Sequence, residues 1–150
     1  MRIEMITLEK FLGNDLLAKI KSLSEEFNQR VTIFFDGSCL EEGEDVISKF
    51  SRIPVCFNFD LLDLNPSSIT ELRSELSILF ARDEGIIFEV NEVDKFVKVV
   101  WVGTFSCSPA KDDVLAEYLY GLVQKTVLLI HAVENNERFQ ILDLDDEISF

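Results

Sequence analysis

Between Gly85 and Phe105 the chain reads GIIFEV-NEVDK-FVKVVWVGTF. Its first arm, 86–90, is almost wholly apolar. The second, 96–105, carries Val97, Val99, Trp101 and Phe105 on one face and Phe96, Val100 and Val102 on the other, with Lys98 and Thr104 interrupting. β-Branched and aromatic residues at period two, joined by a short polar connector, predict an antiparallel hairpin. Apolar residues on both faces place its second arm inside a sheet, with something packed on each side.

Elsewhere the apolar positions recur at steps of three and four. Leu8, Leu12, Leu16, Ile20, Leu23 and Phe27 form one helix face, with a break near Gly13 where Asn14 caps a second segment. Residues 31–36, VTIFFD, form a short strand closed by the Asp36-Gly37-Ser38 turn. A short helix follows the acidic EEGED at 41–45, and 54–62 is the next strand. Asn65-Pro66 opens a helix with Ser68 and Glu71 as a capping box and Ile69, Leu72, Leu76, Leu79 and Phe80 as its buried stripe. Ser108-Pro109 opens another, with Val114, Leu115, Tyr118, Leu119 and Leu122 inward and an end near Gln124. The run TVLLIHAVE-NN-ERFQILDL then reads as a second hairpin, with Asn135 and Asn136 as a two-residue turn and His131 on its wetter face.

These elements predict an α+β fold (mixed α/β) in a single domain spanning 1–150. It would have one twisted, mixed sheet of roughly five or six strands, helices packed on it, and antiparallel hairpins at 86–105 and 126–144. The 150-residue length and 47% hydrophobic content, with 13 Phe, suit a packed core. The three cysteines, Cys39, Cys56 and Cys107, have no metal-ligand spacing. They read as reduced thiols in a cytoplasmic protein. No run is long enough for a membrane span.

Charge changes the picture most. A formal net charge of −14 disfavours nucleic acid or an anionic membrane as partner and favours a basic protein. The acids gather in short runs at element ends: 41–45, Asp60 with Asp63, 91–94, Asp112-Asp113 and 143–147. Candidate partner-binding residues are Glu41, Glu42, Glu44, Asp45, Asp112, Asp113, Asp143, Asp145, Asp146 and Glu147, with Tyr120 as an aromatic anchor. No glycine-rich phosphate loop occurs, and the single histidine, His131, has no neighbouring nucleophile signature. No cofactor or metal is expected. The leading expectation is a non-catalytic immunity or antitoxin-type inhibitor that neutralises a basic toxin, of nuclease type, by charge-complementary binding. A scaffold or adaptor subunit whose acidity serves solubility is a third option.

The second option rests on Ile33-Phe34-Phe35-Asp36-Gly37-Ser38 and Thr70-Glu71-Leu72. The first resembles the opening strand of the ribonuclease H family, which ends on a magnesium-binding aspartate. The second resembles that family's helix-borne metal glutamate. The resemblance implies a magnesium-dependent nuclease using Asp36 and Glu71. It covers about a dozen residues, and the chain departs from the family where EEGEDVISKF reads as helix rather than strand.

Overall fold

The computed structural model describes residues 10, 12–35, 54–83, 85–101 and 110–135. In chain order these form helix α1 (Asn14–Glu26), strands β1 (Val31–Phe35) and β2 (Val55–Asp60), helix α2 (Pro66–Leu79), strands β3 (Ile86–Asn91) and β4 (Phe96–Trp101), and helix α3 (Asp113–Glu134). The class is α+β. The four strands form one sheet in the order β1-β2-β4-β3, and every pairing among them is antiparallel. The expected mixed sheet is therefore not what the described strands build. The expected short helix after 41–45 and the acidic run 143–147 lie outside the described residues.

The sheet's inner face follows from register. Val31, Phe59, Val97 and Val90 form one cross-strand row; Ile33, Phe57, Val99 and Phe88 form the next; Val55, Trp101 and Ile86 form a third. Strands β2 and β4 lie inside the sheet, and their inward residues are buried, Phe57, Phe59, Val97 and Val99 completely. The first hairpin and the interior place of its second arm are thus as expected. The opposite face of β4 is half-buried at Phe96, Lys98 and Val100. There the Lys98 ammonium lies 5.8 Å from the Phe34 ring centroid, close enough for a cation–π attraction.

The three helices join the inner face in one hydrophobic cluster. Helix α1 begins after Gly13, whose φ of 85° is costly for other residues, and it buries Leu16, Ile20 and Leu23. Its end is tied to the sheet by Gln29, a buried polar residue. The Gln29 side-chain amide donates to the Asp60 carbonyl, and the Gln29 carbonyl accepts from the Ser24 hydroxyl. Helix α2 is capped one turn earlier than expected. The Asn65 side chain accepts from Ser68 N–H at 2.8 Å with Pro66 at the first helical position, so Ser68 is inside the helix and buried. Its buried stripe, Ile69, Leu72, Leu76 and Phe80, is the expected one except for Leu79, which is half-buried. The β3–β4 turn is fastened by Asn91 Oδ1, which accepts from Asp94 N–H at 2.8 Å.

Helix α3 is the largest departure from the sequence expectation. Residues 126–134, expected as the first arm of a second hairpin, continue the helix without a break through 22 residues, and residues 136–144 lie outside the described segments. The helix starts at Asp113 rather than at Ser108-Pro109. Asp112 caps it, its side chain accepting from Val114 N–H at 3.1 Å and Leu115 N–H at 3.2 Å. The physical reason lies in burial on two flanks. Helix α3 packs against both α1 and α2, so Leu119, Leu122, Val123, Thr126, Val127, Leu129, Ile130, Ala132 and Val133 are all buried. A helix enclosed on most of its circumference loses the polar stripe that marks a surface helix, and its apolar run then resembles a strand. Thr126 is accommodated because its hydroxyl donates to the Leu122 carbonyl at 2.8 Å.

The two alternatives order neighbouring side chains differently. A strand would place Leu128 and Ile130 inward and Leu129 on the wetter face; the helix buries Leu129 fully and leaves Leu128 half-buried. Leu129→Ala is therefore expected to cost about 2–5 kcal/mol and Leu128→Ala markedly less. Urea unfolding of the two variants checks this, and the reverse order would restore the hairpin.

Candidate protein-binding surface

Two groups of the described acids lie at different places, and their electrostatics differ. One group surrounds the exit of β2 and the β3–β4 turn. Leu61 N–H donates to the Lys95 carbonyl at 2.8 Å, which joins the two loops. Here the chain supplies its own cations. Asp60 pairs with Arg30 at 3.8 Å, Glu92 with Arg73 at 2.8 Å, and Asp63 with Lys95. Arg73 also donates to the Val90 carbonyl at 3.2 Å. Exposed pairs of this kind contribute about 0–1 kcal/mol each, and each offsets the charge of its own carboxylate.

The second group lies at the starts of α1 and α3. These approach closely: a Cβ on Gly13 would stand 3.1 Å from the Ala110 Cα. Asp15 occupies the first turn of α1, Asp112 caps α3, and Asp113 is exposed in its first turn. The positive ends of two helix dipoles favour these carboxylates. Glu117 follows one turn along α3 from Asp113, also exposed. Among the described residues Asp15, Asp113 and Glu117 form no ion pair.

Two large apolar groups stand in water beside them. Val114 is 77% exposed and Tyr118, one turn on, 39% exposed. Both were expected inward. The buried row of α3 instead runs Leu119, Leu122, Val123 and Thr126 with Leu115 beside it, and the adjacent row, Val114 and Tyr118, leads to Gly121 and Lys125. Following that row two more steps would have shown it to be the outer one, but the helix was expected to end near Gln124. Tyr120, the aromatic chosen from sequence, is half-buried against the core with the Lys19 ammonium 5.9 Å from its ring centroid.

Tyr118 is held from two sides. Its ring centroid lies 6.2 Å from that of Trp101, and its hydroxyl donates to Asp83 Oδ1 at 3.5 Å, a long contact. Partial burial, the Asp83 charge and that contact all push its pKa above 10, so the phenol keeps its proton and acts as a donor. Beside it a groove runs between the end of α2 and α3. Phe80, Gly121 and Leu122 lie along it, Asp83, Glu117 and Tyr118 stand at its margin, and Lys125 closes the far end.

Of the residues chosen from sequence, the structure thus brings Asp112 and Asp113 to this surface and puts Tyr120 beside α1. Glu41, Glu42, Glu44, Asp45, Asp143, Asp145, Asp146 and Glu147 lie outside the described residues, as does Asp36. Glu71 is exposed on α2, and His131 lies in the last turn of α3 rather than on a strand, its ring edge-on to Phe27 at 5.2 Å. Cys56 is buried in β2. Among the described residues no three His, Cys, Asp or Glu side chains come together as a metal set, and no helix is long and apolar enough to cross a membrane.

At the opposite end of α3, Glu134 is half-buried and accepts from Leu62 N–H at 2.8 Å. Burial raises its pKa above the ordinary 4.5, while the Leu62 bond and the nearby His131 oppose the shift. In comparisons with family models, with curated proteins and with solved structures, the chain matches none.

Two outcomes are expected. Gly121 sits mid-helix with no described atom within 4 Å of where a Cβ would stand, so Gly121→Ala should stabilise by about 0.5–1 kcal/mol, read as a higher urea midpoint. Because folding raises the Glu134 pKa, the folded state holds its proton longer. Stability should fall as pH rises from about 4.5 through the folded value and level off above it. Glu134→Gln keeps an acceptor for Leu62 and should flatten that part of the stability–pH curve, measured by urea melts between pH 4 and pH 7.

Proposed function

We propose that the chain is a non-catalytic inhibitor of the immunity or antitoxin type, acting in the cytoplasm on a basic partner such as a nuclease toxin. The observation that carries this is the division between the two acidic groups. Near the β3–β4 turn Asp60, Glu92 and Asp63 are matched by Arg30, Arg73 and Lys95, whereas Asp113 and Glu117 flank exposed Val114 and Tyr118 without a cation of their own among the described residues. An apolar centre with charged groups at its margin is how protein interfaces are built, with tyrosine prominent among their energetic anchors.

The net charge of −14 supports the same reading from a distance. A protein that grips phosphate backbones carries a positive cleft, and a strongly negative inhibitor is drawn to it. Complementary potentials raise association rates from about 10⁵–10⁶ to as much as about 10⁸–10⁹ M⁻¹s⁻¹ at low salt and disfavour wrong partners. The same charge repels nucleic acid, so the inhibitor would occupy the toxin's substrate surface without competing for substrate itself.

The test is capture of a cationic partner from the producing cells at low salt, followed by stopped-flow association and an assay of the partner's activity. Association should slow steeply between about 10 and 300 mM salt. Asp113→Lys with Glu117→Lys should slow it by about tenfold or more, and reversal of the internally paired Asp60 should do less. A salt-independent rate, or a captured partner whose activity is unaffected, would sink the proposal.

A further inference from the structure

The groove beside Tyr118 has a shape and charge that the inhibitor reading does not use. Its middle is Gly121, where the helix presents no side chain and a Cβ would meet no described atom within 4 Å. Glycine in a helix interior is unfavourable, and packing does not demand it here. The apolar groups Phe80 and Leu122 lie along the groove, while Asp83 and Glu117 give one end two carboxylates and a tyrosine ring. Lys125, one turn beyond Gly121, closes the other end. A guest must therefore be long, apolar along its stem and cationic at the Glu117 end.

We infer that this groove seats an arginine side chain of the basic partner, its stem crossing Gly121 and its guanidinium lying between Asp83 and Glu117 against the Tyr118 ring. Arginine fits better than lysine because its planar fork bonds carboxylates in pairs and also stacks on an aromatic face. Its methylene stem gains from contact with Phe80 and Leu122, and its charge gains from the Tyr118 π-face. Lys125 sets the direction, since a cation entering head-first toward it would be repelled. The inference rests on the proposed binding of a basic partner and names what that partner must present.

The chain's single tryptophan, Trp101, lies 6.2 Å from Tyr118 and reports on the groove. A short glycine–arginine peptide and its glycine–lysine counterpart are titrated at low salt, with calorimetry reading binding anywhere on the surface and Trp101 emission reading the groove. The arginine peptide should bind several-fold more tightly than the lysine peptide and should shift the emission. Gly121→Leu, which fills the groove, should weaken arginine-peptide binding at least about tenfold while the protein melts no lower than the parent; Glu117→Gln should weaken it several-fold without touching the helix interior. If calorimetry shows binding that Gly121→Leu and Glu117→Gln leave unchanged, the groove inference is overturned and the acidic-surface proposal stands. If neither peptide binds at low salt, the groove inference is overturned, while the inhibitor reading is decided by capture of the partner.

Discussion

Burial of α3 is the constraint on which the rest of the structure depends. The helix packs against α1 on one side and α2 on the other, and its buried residues belong to the same cluster as Phe57, Phe59, Val97 and Val99 of the sheet. A sheet with one strongly apolar face requires a cover, and three amphipathic helices provide it only if the middle one is apolar on several sides. That demand explains why α3 has so little polar surface in its second half. Its exposed residues lie in the first two turns, at Asp113, Val114, Glu117 and Tyr118, and again at Gln124 and Lys125.

Much of the fold was legible from residue pattern. The hairpin over β3 and β4, the interior position of β4, the strands β1 and β2 and the buried stripe of α2 all follow from period and turn chemistry, because each has a face that water still reaches. The second hairpin did not survive for the opposite reason. Over Thr126–Val133 there is no wet face to mark a period, and β-branched residues followed by two asparagines imitate an arm and its turn. A helix ending at Gln124 also leaves the row Val114, Tyr118, Gly121, Lys125 too short to show itself as the outer one, so the pattern alone does not separate exposed Tyr118 from half-buried Tyr120. The α2 cap was missed by one turn because Ser68 and Asn65 both have capping chemistry, and only the backbone decides between them.

The acids were visible in sequence, but their pairing was not. Asp60, Asp63 and Glu92 look no different in the chain from Asp113 and Glu117. What separates them is that Arg30, Arg73 and Lys95 come from elsewhere in the chain to meet the first three. Net charge counts carboxylates; tertiary structure decides which of them still project a field.

The clasp at Gln29 has a consequence for how the molecule opens. One side chain links the end of α1 to the last residue of β2, and the neighbouring Asp60 N–H donates to the Arg30 carbonyl at 3.1 Å. Unravelling the last turn of α1 would strand a buried amide and release the outer border of β1 in the same event. The end of α1 and β1, the outermost of the described strands on the flank away from β3, are thereby coupled through a single side chain.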